Sequence, residues 1–345
     1  MDVSVKIKRD KMLKLINQDL SVQKFFSDNR KRLKLNMLTN DDGFHRVIDN
    51  SELNRPSLAL AGFIGLFTYN RVQIIGNTET RFLKTLSASA KREAFKKVLK
   101  FDIPCIIVTE SNRVPRDLIE IANKRKICVF RTNYSTTVLS HLLSDYLQNH
   151  FAPRTSVHST LVDVYGIGVL FTGRSGIGKS EIALDLVERG HRLVADDIVI
   201  ITKKSEEILM GEPSELSENH LEIRGLGIID VRSIFGIRAV RIQKRVEVEV
   251  NLVEFDPKEN YERIGLNEKT TTILGVEIPQ IILPINPGKN ITVIAEAIAL
   301  NQLLKIFGHH TPKEFVKRLQ KKIKQQERAH LNKLKKRDFL EKDYE

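Results

Sequence analysis

VDVYGIGVLFTGRSGIGKSEIALDLVERGHRLVADD, residues 162–197, holds the reading on which the fold turns. Gly173, four residues, Gly178, Lys179 and Ser180 spell the complete G-x-x-x-x-G-K-[ST] phosphate loop. The chemistry explains the spelling. Gly173, Gly176 and Gly178 let the backbone turn tightly and present N–H groups to phosphate oxygens with no Cβ in the way. Lys179 supplies a point charge to the terminal phosphates, and the Ser180 hydroxyl is a Mg²⁺ ligand. VLF (169–171) reads as a buried strand entering the loop. SEIALDLVERG (180–190) carries Ile182 and Leu186 at helical spacing and stops at Gly190. A helix starting there aims its positive end at the phosphates. Upstream, two apolar runs flank Gly166-Ile167-Gly168, a turn so short that the strands must pair antiparallel. The phosphate loop is therefore fed by a hairpin, and the expected sheet is mixed rather than wholly parallel.

From Lys179 to Arg189 a helix runs about 16 Å away from the phosphates. After Gly190-His191 about five strand residues of RLVADDIVIITKK cover the same distance on the way back. That returns Asp196 and Asp197 to the loop. Two adjacent acids in an otherwise apolar strand are costly to bury without a cation, and a metal-bound nucleotide beside Lys179 provides one.

Two further segments are informative. In LEIRGLGIIDVRSIFG (221–236), two glycines and Glu222 interrupt a strongly apolar run, and Glu222 is placed to ligate Mg²⁺ directly or through water. Arg263 lies in the polar stretch DPKENYERIGLNEKTT, where a loop arginine is a known device for stabilising a transferring phosphoryl group.

At 345 residues the chain is read as two α/β domains: 1–151, a linker at 152–156, and a phosphate-loop domain at 157–324. In the first, RVQIIG (71–76), PCIIVTES (104–111) and ICVFRTN (127–133) read as buried strands. RDLIEIANKRK (116–126) and TTVLSHLLSDYLQNHF (136–151) read as helices. Cys105 and Cys128 sit among apolar neighbours without metal-ligand spacing, so they are expected as buried thiols in a reducing compartment. A charged N-terminus without an apolar segment, and no run of 18 apolar residues, leave a cytoplasmic protein with no membrane span as the expectation. Net charge is +13, and residues 311–345 hold twelve Lys/Arg against six Asp/Glu. The basic tail 325–345 extends a helix whose Phe315, Leu319 and Ile323 recur every four residues.

HSTLVDVYGIGVLFTGRSGIGKSE, GHRLVADD, EIRGLGIIDV and PINPGKN together closely resemble the bacterial HPr kinase/phosphorylase family. RVQIIGNTETRFL, IPCIIVTES and VFRTNYSTT extend the resemblance into the first domain. It implies a bifunctional serine kinase and phosphorylase that regulates carbon metabolism. ATP or pyrophosphate is the donor, Mg²⁺ the metal, the phosphocarrier protein HPr the partner, and a homohexamer the assembly. Matched residue by residue, it implies that Gly173, Arg174, Ser175, Gly176, Ile177, Gly178, Lys179 and Ser180 bind the phosphates, and that Ser180 and Glu222 hold Mg²⁺. Asp197 is the implied proton acceptor from the target serine, with Asp196 beside it as metal or water partner, and His158 and Arg263 are further catalytic residues. His191 takes a structural part.

The chain departs from that pattern at Arg174, at Ser159-Thr160 after His158, and at Asn286 and Lys289 in PINPGKN. Losing guanidinium groups at an anion site is not a neutral change, so a kinase without the reverse reaction is one alternative. Another is a nucleotide-sensing regulator that binds nucleic acid through its basic tail. Against it, Trp is absent and no helix-turn-helix or RNP-like motif occurs, so a nucleic-acid partner is not expected.

Overall fold

The computed structural model describes residues 13–15, 19–259, 261, 268–286 and 288–341, and side chains only between 19 and 328. Two compact units divide it: Ile16–Pro153, and Arg154–Glu345 together with the N-terminal segment ending at Leu15. Arg263 lies outside the described residues.

The Ile16–Pro153 unit is built on a five-stranded sheet ordered Asn36–Met37, Cys128–Arg131, Cys105–Val108, Val72–Ile75, Leu53–Asn54. The last four run parallel and the first is antiparallel. The three central strands are apolar at nearly every position because helices cover both faces. Helices Val22–Asn29 and Thr136–Phe151 bury Phe25, Leu139, Leu143 and Leu147 on one face. Helices Ala88–Leu99 and Arg116–Lys124 bury Phe95, Val98, Leu99, Leu118 and Ala122 on the other. Cys105 and Cys128 are buried free thiols on adjacent strands. Burial raises both, Cys128 to about 11.

The second unit stacks two sheets and a helical layer. Its six-stranded mixed sheet is ordered Arg192–Ala195, Thr160–Val164, Ile167–Thr172, Val248–Glu254, Val276–Ile285, Lys269–Ile273. The expected hairpin is its centre: Thr160–Val164 pairs antiparallel with Ile167–Thr172, which pairs parallel with Val248–Glu254. Alternation along these buried strands sends Val162 and Val164 toward helices Lys179–Glu188 and Ile291–Ile306. Leu161 points the other way, onto Val199, Ile201 and Leu209 of the second sheet. That sheet is ordered Leu13–Leu15, Arg154–His158, Ile198–Ser205, Ile208–Pro213, Lys244–Arg245, every pair antiparallel.

Three expectations differ from this architecture. The stretch read as the linker 152–156 is largely strand, because Arg154–His158 is needed to join Leu13–Leu15 to Ile198–Ser205. No local pattern announces that Leu13–Leu15 pairs with residues some 140 positions away. The acids at 196–197 are not inside one strand: they form the corner between Arg192–Ala195 in one sheet and Ile198–Ser205 in the other. Finally, the tail at 325–345 has no boundary of its own, since helix Thr311–Glu341 runs straight through residue 325. Phe315, Leu319 and Ile323 form an exposed apolar stripe on it. Among the described residues no single helix is long and apolar enough to cross a membrane.

Candidate active site

The strand Ile167–Thr172 delivers the chain into the loop, and three glycines in the left-handed region turn it: Gly173 at φ 144°, Gly176 at 75° and Gly178 at 103°. Gly178 caps helix Lys179–Glu188 directly, so the first turn's N–H groups open onto the loop. At Gly173 space alone demands glycine, because a Cβ would approach the Leu252 carbonyl oxygen to 2.6 Å.

Lys179 is almost fully buried, with 6 % of its surface exposed. Its ammonium donates to the carbonyls of Gly173 at 3.3 Å and Arg174 at 3.2 Å, and stands 3.4 Å from His158 Nε2. Burial lowers its pKa below 10.5, against the opposing pull of Asp196 and Asp197.

The corner at 196–197 gives the two acids different surroundings. Asp196 is 2 % exposed and accepts three kinds of donor. Thr160 Oγ1 donates at 2.6 Å, Ser180 Oγ at 2.9 Å and the Glu222 backbone N–H at 3.2 Å. Asp197 adopts φ 65°, which swings its side chain outward, half exposed, with Oδ1 2.9 Å from His158 Nδ1. A neutral His158 protonated on Nδ1 satisfies both of its contacts, donating to Asp197 and accepting from Lys179 on Nε2. The asymmetry follows from the corner: within one strand the two side chains would take opposite faces of the same sheet.

His158, Lys179, Ser180, Asp196, Asp197 and Glu222 thus line one pocket of about 110 Å³, along with Ser175, Gly176 and Gly178 of the loop. Among the described residues no group of three or more His, Cys, Asp or Glu could hold a metal alone. Hard oxygens do converge there, the Ser180 hydroxyl with the Asp196 and Glu222 carboxylates. That donor set suits a cation that takes its remaining ligands from phosphate and water. Arg174, also expected on the phosphates, pairs instead with Glu254 at the end of Val248–Glu254.

Arg224 and Thr160 complete the site. Arg224 lays its guanidinium on the loop, so close that a Cβ on Gly176 would meet Nη1 at 2.4 Å. Its segment, 221–236, is informative in sequence, but an arginine in an apolar run carries no positional signal. Thr160, one of the departures from the family pattern, donates its hydroxyl to the buried Asp196. His191, 3.1 Å from Glu296 and edge-on to Tyr165, anchors helix Ile291–Ile306 away from the pocket. Asn286 and Lys289 share a turn, where the Lys289 N–H donates to the Asn286 carbonyl at 3.2 Å.

Known proteins resemble this chain along most of its length. The HPr Serine kinase N terminus family matches residues 20–147, and the HPr Serine kinase C-terminal domain family matches 149–319. The HPr kinase/phosphorylase of Chloroherpeton thalassium is 50% identical over 318 residues, covering 92% of this chain and 93% of that protein. That of Prosthecochloris aestuarii is 48% identical over 333 residues, covering 96% and 98%. Among solved structures, the Hpr(Ser) kinase/phosphatase from Coxiella burnetii is 34% identical, covers 44% of this chain and 97% of that one, and has a TM-score of 0.41. With both of its halves matched and half of its residues shared with such relatives, the chain belongs to the HPr serine kinase family.

Proposed function

We propose that this protein transfers a phosphoryl group from ATP, or from pyrophosphate, to a serine of the phosphocarrier protein HPr, and removes it by phosphorolysis. The observation that carries this reading is Asp197, held by His158 at the open side of the pocket while Lys179 and Ser180 line its floor. An outward carboxylate beside a phosphate loop has no hydrolytic water to orient as its only task; it can receive a partner's hydroxyl.

In the forward direction the loop N–H groups and Lys179 bind the donor's terminal phosphates. Arg224 meets the charge that spreads over the transferred group. Asp197 accepts the serine proton as the oxygen–phosphorus bond forms and the bond to the leaving phosphate breaks. Such transfer asks chiefly for positioning and charge stabilisation, so a weak carboxylate base suffices. In reverse, inorganic phosphate in the same cradle attacks phosphoserine, the protonated Asp197 returns its proton to the leaving serine oxygen, and pyrophosphate is released. Mg²⁺ would be held by Ser180, Glu222 and the Asp196 side of the pocket, where it would neutralise phosphate charge. Arg263 is assigned to the same charge stabilisation by resemblance alone. Exposed Leu226, Ile228, Ile234, Ile237 and Ile242 on the second unit favour self-association, in line with a homohexamer, and a cytoplasmic setting goes with HPr as substrate.

The test is phosphoryl transfer to purified HPr with ATP and MgCl₂, followed by inorganic phosphate, reading phosphoserine and pyrophosphate together. Phosphoserine that forms and then disappears as pyrophosphate rises is the expected result. Phosphoserine that survives added phosphate would remove the reverse activity and point to Asn286 and Lys289. No phosphoserine at all would overturn the assignment.

A further inference from the structure

An apolar cavity lies in the Ile16–Pro153 unit, remote in sequence from every residue of the phosphate-loop pocket. It encloses about 340 Å³ over the ends of the strands Val72–Ile75 and Cys105–Val108. Its walls are apolar: Val108 from the sheet, Leu83 from helix Asn77–Thr85, Phe95 from Ala88–Leu99 and Leu118 from Arg116–Lys124. Its remaining lining includes three cations, Lys84, Lys91 and Arg113. Nearby, Arg92 pairs with Asp117 and Lys96 with Glu93. Lys84, Lys91 and Arg113 have no ion-pair partner among the described residues. Lys84 and Arg113 are exposed and Lys91 is half-buried, three like charges on the lining of one apolar hollow. An anion at the mouth would relieve them. Crevices at the carboxyl ends of parallel strands, apolar with a few convergent polar groups, are where α/β units take small molecules.

We infer that this cavity is a binding site for a small organic anion, with the apolar body against Leu83, Phe95, Val108 and Leu118 and the acidic head among Lys84, Lys91 and Arg113. The mostly apolar walls suit a medium-chain carboxylate better than a nucleotide, whose base and sugar carry many polar edges that Leu83, Phe95, Val108 and Leu118 cannot pair.

The probe is decanoate, titrated calorimetrically into the full chain, with 1-decanol as the uncharged control and amide hydrogen exchange to locate binding. One decanoate per chain is expected, with protection in Asn77–Thr85, Ala88–Leu99 and around 113–118. Decanol should bind about tenfold more weakly. The triple variant Lys84→Gln, Lys91→Gln, Arg113→Gln should lose about tenfold for decanoate and nothing for decanol, the loss of roughly 1.4 kcal/mol of head-group attraction. Leu83→Trp, which fills the hollow, should abolish both. Equal affinity for decanoate and decanol, an unaltered triple variant, protection at 173–197 instead, or no binding would each overturn the inference. The triple variant changes only rim side chains, so the test stands even if Leu83→Trp fails to fold.

Discussion

Ser180 and Asp196, sixteen residues apart, are joined by a 2.9 Å hydrogen bond from the hydroxyl to the buried carboxylate. This bond ties the first turn of the loop helix to the corner between two sheets. It also separates the tasks of two neighbouring acids, because Asp196 is committed inward while Asp197 is left facing the pocket.

Asp197→Asn should therefore damage turnover and little else. With the general base lost, kcat is expected to fall roughly 10²- to 10⁴-fold, while nucleotide affinity and melting temperature stay near those of the parent. Asp196→Asn should behave oppositely. A carboxamide cannot accept from Thr160, Ser180 and Glu222 together, so stability should fall by about 1–3 kcal/mol and nucleotide binding with it. Denaturant titration and binding measured on the same pair of variants check the contrast.

Thr160→Val keeps the shape and deletes the shortest bond to Asp196, 2.6 Å long. Hydrogen bonds to charged groups contribute about 1.5–3 kcal/mol, so a loss of that order is expected in the denaturation midpoint. Thr160→Ser should recover most of it. If Val is neutral, the hydroxyl is not what holds the carboxylate.

Gly173→Ala and Gly178→Ala probe the loop differently. Both residues have positive φ, but a Cβ at 178 meets open space whereas one at 173 strikes the Leu252 carbonyl at 2.6 Å. Gly178→Ala should cost about 1–2 kcal/mol of backbone strain. Gly173→Ala should displace the loop from its neighbouring strand and abolish pyrophosphate binding, measured by calorimetry.

The Lys179 ammonium titrates below 10.5 because burial outweighs the attraction of Asp196, Asp197 and Glu181, with Arg224 adding repulsion. A bound polyphosphate favours the charged form and raises that value again. Pyrophosphate binding should consequently take up protons at alkaline pH and weaken as pH rises through the lysine's lowered pKa. Calorimetry in buffers of different ionisation enthalpy measures the uptake. Lys179→Arg, charged throughout, should abolish this uptake.

In the Ile16–Pro153 unit, Glu79 is buried and accepts from Arg55, Ser57 and the Gly76 N–H. Burial pushes its pKa up, but these bonds together hold it below 4.5. The native state thus binds its proton more weakly than the unfolded chain. The stabilisation is present above pH 4.5 and drains away as pH falls through the depressed value. Glu79→Gln should flatten that acid limb of the stability profile.

Much of the site is legible in the sequence because phosphate chemistry is local. Gly173, Gly178, Lys179 and Ser180 need each other within eight residues, and helix and strand lengths alone returned Asp196 and Asp197 to them. The hairpin Thr160–Thr172 was legible for the same reason: its turn is too short to allow any other pairing. The part played by Arg224 was not, because its approach to Gly176 depends on how the hairpin 220–230 folds over the loop.

Sequence alone determined the loop, its helix, the mixed pairing around it and the family, since each rests on contacts or spacings short along the chain. Tertiary structure decided the rest. It made Arg154–His158 a strand by supplying Leu13–Leu15 and Ile198–Ser205 as neighbours, and it set Asp196 and Asp197 at a corner between sheets. It also gathered Lys84, Lys91 and Arg113 around one hollow. Partners this far apart along the chain leave no periodicity to read; only packing brings them together.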